Sequence, residues 1–302
     1  MDDRIYDGAL DLVGKTPLVR LKQISPEDGA EVCAKLESNN PAGSVKDRPA
    51  LAMVIAAEER GELRAGATIV EATSGNTGIS LAMIAAVRGY KCVLVMPEDM
   101  SMARRSILKA YGAEVVVTPA QEGMAGAVDK AHEILRRTRG AFMPKQFENP
   151  ANPESHALTT AEEIWRATRG EVDAFVAGVG TGGTLTGVGR ILKQRRPSVL
   201  LVAVEPRGSA VLSGGQPGLH GIQGLGAGFV PRVLDRKLVE RVIAVTDLAA
   251  ERMTKRLSRE EGLLVGPSSG ANVHAALEVA RQMQPGQRVV TILADGGERY
   301  TA

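Results

Sequence analysis

The chain has 302 residues, 44% of them apolar and 24% charged, and a formal net charge of +2. That is the balance of an ordinary globular protein, long enough for a large core and about two domains. Four Phe, four Tyr and one Trp, with no basic run, give no footing for nucleic acid or an anionic membrane surface.

The N-terminal "MDDRIYDGAL" is acidic and lacks an apolar core, so it does not have the form of a signal peptide. No apolar stretch approaches membrane-spanning length, and the expected location is cytoplasmic. Cys33 and Cys92 each lie inside an apolar, strand-like run, "EVCAKLE" and "KCVLVMP". Both are expected as buried small hydrophobes, not as a disulfide or a zinc site.

The segment Asn40-Pro41-Ala42-Gly43-Ser44-Val45-Lys46-Asp47-Arg48 comes next. Leu51, Val54 and Ile55 follow at helical spacing, and Pro49 falls in the first turn, where a missing N–H costs nothing. Lys46 therefore stands at a helix start, where the dipole disfavours its charged form. A partly neutral lysine is a nucleophile able to form a Schiff base. A solvated loop lysine is the alternative.

Strand-length apolar runs then alternate with helical patterns. "ATIVEA" (67–72) precedes the helix "GISLAMIAAVRG"; "KCVLVM" (91–96) precedes "MSMARRSILKAYG", and "AEVVVT" (113–118) follows. Later "DAFVAG" (173–178) leads into "TLTGVGRILKQRR", then "VLLVAV" (199–204), and near the end "RVVTILA" (288–294). Nearly all-apolar strands alternating with helices predict parallel sheets covered on both faces. Gly89, Gly112 and Pro197 fall where helices should stop. The order predicts two α/β units with doubly wound open sheets. One is a smaller domain over 40–147. The other, larger, takes 1–39 plus 148–302, with "KQFENPANPES" as the junction.

Ligands of such sheets bind beyond the carboxyl ends of strands, and three motifs stand there. Thr73-Ser74-Gly75-Asn76-Thr77-Gly78 turns from a strand into a helix and aims N–H groups and hydroxyls at one spot, which suits a carboxylate. Asn76 adds an amide that can donate to a phenolate-type oxygen. A plain glycine turn with a threonine N-cap is the alternative. Gly178-Val179-Gly180-Thr181-Gly182-Gly183-Thr184 has the make-up of a phosphate loop. Gly178, Gly180 and Gly183 also match G-x-G-x-x-G, and Glu205 ends the next strand where an acid would hold a ribose, so an NAD-dependent oxidoreductase is a rival. In Gly266-Pro267-Ser268-Ser269-Gly270-Ala271-Asn272, Ser268 or Ser269 reads alone as a helix N-cap. The glycine-rich 220–231 loop carries no chemistry of its own. His132, His156, His220 and His274 have no metal-type spacing and are expected in surface or packing roles; no metal site is expected. Only a phosphorylated aldehyde cofactor needs a Schiff-base lysine, a phosphate cradle and an amino-acid carboxylate site together.

At these residues the chain resembles the fold-type II pyridoxal-phosphate enzymes, and among them the O-acetylserine sulfhydrylases of the A type. The likeness runs from "VGKTPLVRL" (13–21) through "NPAGSVKDR", "EATSGNTG", "MPEDMSMARRSILKAYGAEVVVT", "QFENPANP", "GVGTGGTLTG", "IQGLGAGFVP" and "GPSSGA" to "GERY" (297–300). It implies a tryptophan-synthase-β-like fold, with pyridoxal 5′-phosphate in a cleft between a mobile smaller domain and a larger phosphate-binding one. By the same likeness Lys46 would carry the cofactor and later take the substrate α-proton. Asn76 would bond the 3′ oxygen of the cofactor, Gly180, Thr181, Gly182, Gly183 and Thr184 its phosphate, and Ser268 would face the ring nitrogen. Thr73, Ser74, Asn76, Thr77 and Gln146 would bind the substrate carboxylate, and the 220–231 loop would help close the site. The implied reaction replaces the acetate of O-acetyl-L-serine by sulfide, through an α-aminoacrylate, to give L-cysteine. A homodimer is implied, as is the C-terminal tail of serine acetyltransferase as a possible partner.

Some residues depart from the pattern. Lys15 stands where Asn is usual, Lys145 where a second Gln is common, and Ala161 where Gly is frequent. Cystathionine β-synthases share that alanine but place a bulky tyrosine where this chain has Ala227. Cystathionine β-synthase activity, with serine and homocysteine, is therefore the runner-up. O-phosphoserine as donor and thiosulfate as acceptor stay open.

Overall fold

The computed structural model describes residues 5–73, 75–98 and 102–300. Within them the strands are β1 (Leu18–Arg20), β2 (Glu31–Leu36), β3 (Thr68–Ala72), β4 (Lys91–Pro97), β5 (Glu114–Thr118), β6 (Ala174–Gly178), β7 (Leu200–Pro206), β8 (Arg241–Val245) and β9 (Arg288–Leu293). The helices are α1 (Asp47–Glu59), α2 (Asn76–Arg88), α3 (Met102–Ala110), α4 (Gly123–Arg137), α5 (Ala151–Ser155), α6 (Ala161–Thr168), α7 (Gly183–Arg195), α8 (Asp247–Glu260) and α9 (Pro267–Ala280). Every apolar run predicted as a strand is one. Gly89 closes α2 in the left-handed conformation at φ 72°, and α7 stops just before Pro197.

Contacts gather the chain into two units. One holds Asn40–Ala151 and the N-terminal residues up to Val13; the other holds Gly14–Asn39 and the chain from Asn152 onward. The first 39 residues thus divide after Val13, since Leu10 and Val13 pack on the core of the smaller unit.

In the smaller unit β3, β4 and β5 form a parallel sheet in that order, with Thr68 opposite Lys91 and Val93 opposite Glu114. The chain around Phe142 extends the free edge of β3. Val70 donates its N–H to the Phe142 carbonyl and Phe142 to that of Thr68, both at 2.9 Å. Side chains alternate between the faces: Ile69, Leu94 and Met96 pack with α1 and α2, whereas Val70, Val93 and Val95 pack with Ala127 and Ala131 of α4. Both faces are covered, so the strands carry no polar alternation.

In the larger unit the order is β1-β2-β9-β6-β7-β8, with β1 antiparallel to β2 and all other pairs parallel. Ala174 and Val176 of β6 pack with α8 and α9; Phe175 and Ala177 pack with α6 and α7. Cys33 and Cys92 are buried, as their runs predict. Burial pushes both thiols up, Cys92 to about 12. Among the described residues no helix is long and apolar enough to cross a membrane.

Candidate active site

Lys46 is the N-cap residue of α1, with Pro49 in the first turn as the sequence predicts. Its N–H donates to Ser44 Oγ at 3.2 Å, and its carbonyl accepts the Ala50 N–H at 3.0 Å. The next residue, Asp47, is wholly buried. Its carboxylate accepts the Ala42 N–H at 2.7 Å and the Ser80 hydroxyl at 2.5 Å. Ser80 lies one turn into α2 from Asn76, and its Oγ is 3.1 Å from the Asn76 carbonyl. Asp47 therefore fastens the loop that ends in Lys46 to the helix that begins with Asn76. Sequence reasoning passes over Asp47. The available signal is an acid in a helix's first turn, a favoured place for one.

The 73–78 loop is held by side chains. Thr73 donates its N–H to the Val95 carbonyl at 3.0 Å, and its Oγ1 accepts the Gly75 N–H at 3.3 Å. Thr77 Oγ1 donates to Gln146 Oε1 at 2.6 Å, so two predicted carboxylate ligands 69 positions apart meet in the fold. No acid occupies the first turn of α2, which leaves the positive end of its dipole for an anion. Ser74 lies outside the described residues.

The 180–184 loop belongs to the larger unit, where β6 gives way to α7. Gly182 is the N-cap residue at φ 84°, a left-handed conformation that favours glycine. A Cβ at Gly180 would stand 2.2 Å from the Gly224 carbonyl oxygen, and one at Gly183 would stand 1.9 Å from Asn152 Oδ1. Thr181 Oγ1 accepts from Asn152 Nδ2 at 2.9 Å and from the Gly183 N–H at 3.3 Å. Both its lone pairs are then engaged, and its proton is left to donate outward. Among the described residues, no protein acceptor takes the N–H of Gly180, Thr181, Gly182 or Thr184. The first turn of α7 holds no acid.

His156, expected in a surface or packing role, is 1% exposed and backs this loop. Its Nε2 is hydrogen-bonded to Thr184 Oγ1 at 3.2 Å and its Nδ1 to Thr160 Oγ1 at 2.9 Å. No spacing rule could find it, because the contact spans 28 positions.

Neither serine of "GPSSG" caps α9. Gly266 is the N-cap residue and Pro267 takes the first helical position. Ser269 Oγ accepts the Ala294 N–H at 2.9 Å and ties the helix to the end of β9. Ser268, 4% exposed, keeps its hydroxyl without a partner among the described residues. The N-cap reading of these serines is thereby corrected, and the two have different tasks.

The dinucleotide reading falls on Glu205. Its carboxylate is 1% exposed and accepts from the N–H groups of Leu212 and Ser213 at 2.7 and 3.1 Å and from the Ser213 hydroxyl at 2.5 Å. It pins the turn after β7 and has no face left for a ribose. Ala161, shared with the cystathionine β-synthases, is wholly buried in the core on the α6–α7 face of the sheet. It carries no information on the acceptor.

Known proteins resemble this chain over nearly its whole length. The profile of the family described as "Pyridoxal-phosphate dependent enzyme" matches residues 9–295. A cysteine synthase of Staphylococcus aureus is 52% identical over 301 residues, which covers 99% of this chain and 97% of the relative. The crystal structure of an O-ureido-L-serine synthase superposes with a TM-score of 0.96 at 45% identity, covering 99% of this chain and 94% of that one. That of a cysteine synthase from Entamoeba histolytica gives 0.96 at 40% identity, covering 100% and 91%. With a family match over nearly the whole length and a relative at this identity, the chain belongs to the pyridoxal-phosphate-dependent enzymes, in the branch of the cysteine synthases.

Proposed function

We propose that this enzyme replaces the acetate of O-acetyl-L-serine by sulfide and releases L-cysteine. The carrying observation is the 180–184 loop, whose N–H groups at Gly180, Thr181, Gly182 and Thr184 meet no protein acceptor among the described residues, and whose Thr181 hydroxyl proton and acid-free helix start suit a phosphate monoester. The residues present fit pyridoxal phosphate at its other end too. Ser268 offers a neutral, unpartnered hydroxyl suited to a ring nitrogen, and Lys46 offers the amine such a cofactor needs.

Pyridoxal phosphate, when bound, supplies the electron sink that acidifies the α-C–H bond and lets a β-substituent leave. Gly180, Thr181, Gly182, Gly183 and Thr184 would hold its phosphate, Ser268 its ring nitrogen and Asn76 its 3′ oxygen. Lys46 would tether it through the ε-amine. Lys46 would also be the base that accepts the substrate α-proton. Thr73, Ser74, Asn76, Thr77 and Gln146 would hold the substrate carboxylate and so fix which C–H faces the base. Acetate leaves as a stable anion and needs no acid. When sulfide replaces the acetate at the β-carbon, Lys46 would return the proton it holds to the α-carbon.

Borohydride reduction of the holoenzyme, digestion and mapping of the pyridoxyl group should place the label on Lys46; a label on another lysine overturns the reading. The same reading extends to a homodimer and to the C-terminal tail of a serine acetyltransferase as a partner competing for the 73–77 loop. Sedimentation equilibrium tests the dimer, and competition of a tail peptide against O-acetylserine tests the partner.

A further inference from the structure

Among the buried acids that the reaction leaves without a task is Glu71. Glu71, on β3 two residues before Thr73, is 6% exposed. Its Oε2 accepts the N–H of Lys145 at 3.1 Å, across 74 positions of sequence. Lys145 has φ 54°, a left-handed conformation uncommon outside glycine. The residue after it is Gln146, whose side chain Thr77 holds.

The local chain explains why a carboxylate is needed there. The strand-like run through Phe142 bonds to β3 by Val70 and Phe142. Two residues later Pro144 has no N–H to continue the ladder. Lys145 is the first residue past the proline with an N–H to place, and the Glu71 side chain receives it where a strand carbonyl would otherwise stand. The Lys145 carbonyl then accepts from Glu148 at 2.9 Å and Asn149 at 3.0 Å, which closes the turn. Backbone bonds secure the far side of Lys145. On the near side the Glu71 carboxylate takes the N–H of this strained residue.

We propose that Glu71 is a positioning residue for recognition of the substrate carboxylate: it holds the left-handed turn at Lys145 and so sets where Gln146 stands. The inference rests on the reading that Gln146 contacts that carboxylate. Burial raises the Glu71 carboxyl to about 7, against the pull of the N–H groups of Lys145 and Ala72 and of the exposed Lys145 ammonium, the charged group acting on it. An N–H donor prefers the ionised form. The clamp is therefore tightest above about pH 7 and slackens as the carboxyl gains its proton below it.

The test uses the holoenzyme and L-alanine, which has the carboxylate but no leaving group, with binding measured by titration calorimetry from pH 6 to 8.5. Glu71→Gln should bind L-alanine several-fold more weakly at pH 8.5, and the deficit should shrink toward pH 6, where wild type is protonated as well. In turnover KM for O-acetylserine should rise while kcat stays within about two-fold, and the unfolding temperature should not fall. Gln146→Ala should weaken L-alanine at every pH. Weak binding in Gln146→Ala with wild-type binding in Glu71→Gln overturns the inference and leaves the reading standing. Wild-type binding in Gln146→Ala overturns the reading, and this inference with it. A deficit in Glu71→Gln that does not vary with pH also overturns it, since a merely structural glutamate would behave that way.

Discussion

The 180–184 loop of the larger unit and the 73–78 loop of the smaller both turn from a parallel strand into a helix whose first turn holds no acid. They differ in how far close backbone approach holds them. At 180–184 the backbone is locked by close approach. Missing Cβ atoms let it lie against the Gly224 carbonyl and Asn152, and a left-handed glycine starts the helix. At 73–78 a Cβ on Gly75 would meet nothing within 4 Å. Order there comes from side-chain bonds: Asp47 to Ser80, Thr77 to Gln146, Glu71 to the turn before Gln146. A phosphate is the same in every turnover and suits a cradle set once by sterics. A substrate carboxylate arrives and leaves, and a loop held by side-chain bonds can adjust around it.

The largest break in this comparison is one methyl group. Gly180→Ala would put a Cβ 2.2 Å from a backbone oxygen that is not free to move, since Gly226 is bonded to the Val179 carbonyl at 3.0 Å. Overpacking of this kind costs about 1–3 kcal/mol. It also spreads the N–H donors of the 180–184 loop. Retention of pyridoxal phosphate after dialysis should fall at least tenfold, and the unfolding temperature should drop. A variant that keeps its cofactor like wild type would show that the cradle is not set by sterics.

A middle-sized effect should come from Glu71, with the opposite sign on stability. Its carboxyl lies at about 7 in the fold against an ordinary 4.5. The unfolded chain gives up this proton first as pH rises, so the folded state loses stability between about pH 4.5 and 7. At about 1.36 kcal/mol per unit the loss approaches 3 kcal/mol by pH 8. Glu71→Gln removes it. Relative to wild type, the variant should gain about 2–3 kcal/mol between pH 5 and pH 8, read by urea unfolding at both values. A constant difference would mean that the carboxyl is not raised. The smaller unit thus tolerates a destabilising acid beside its 73–78 loop, whereas the close approach at Gly180 in the larger unit becomes destabilising only when a side chain is added.

What the sequence discloses follows from how far apart the partners are. The β3, β4, β6, β7 and β9 runs are legible because burial on both faces leaves them mostly apolar. The 73–78 and 178–184 loops and the 266–272 turn are legible as motifs because each is a few consecutive residues. β8 is fainter: it is an edge strand that opens on Arg241 and has Ala244 exposed. In α8 only Ala250, Met253 and Leu257 are buried among 14 residues, so its apolar stripe is thin. Asp47, Glu71 and His156 are illegible as site residues, since each acts through a donor or acceptor 28 to 74 positions away. Lys15 and Lys145 lie between these cases. Both break the family pattern and both prove left-handed, at φ 49° and 54°. A single sequence marks them as unusual without saying that the backbone is the reason.

The smallest expected effect belongs to Gly75, and it sharpens the comparison most. Gly75 is the N-cap residue of α2 at φ −117° and ψ −162°, extended backbone that any L-residue adopts. Its N–H needs only the Thr73 hydroxyl, which Gly75→Ala leaves in place. Alanine is a poorer N-cap than glycine by no more than about 1 kcal/mol. The added methyl meets no protein atom within 4 Å. Gly75→Ala should therefore unfold within about 1 kcal/mol of wild type, with cofactor retention unchanged. Binding of L-alanine then reports where the methyl points. A raised dissociation constant with unchanged stability would mean that the open space beside Gly75 is where the substrate lies, and that this glycine is required by the ligand and not by the fold. A loss of stability as large as that of Gly180→Ala would show the 73–78 backbone to be locked after all, and the two loops to be built alike.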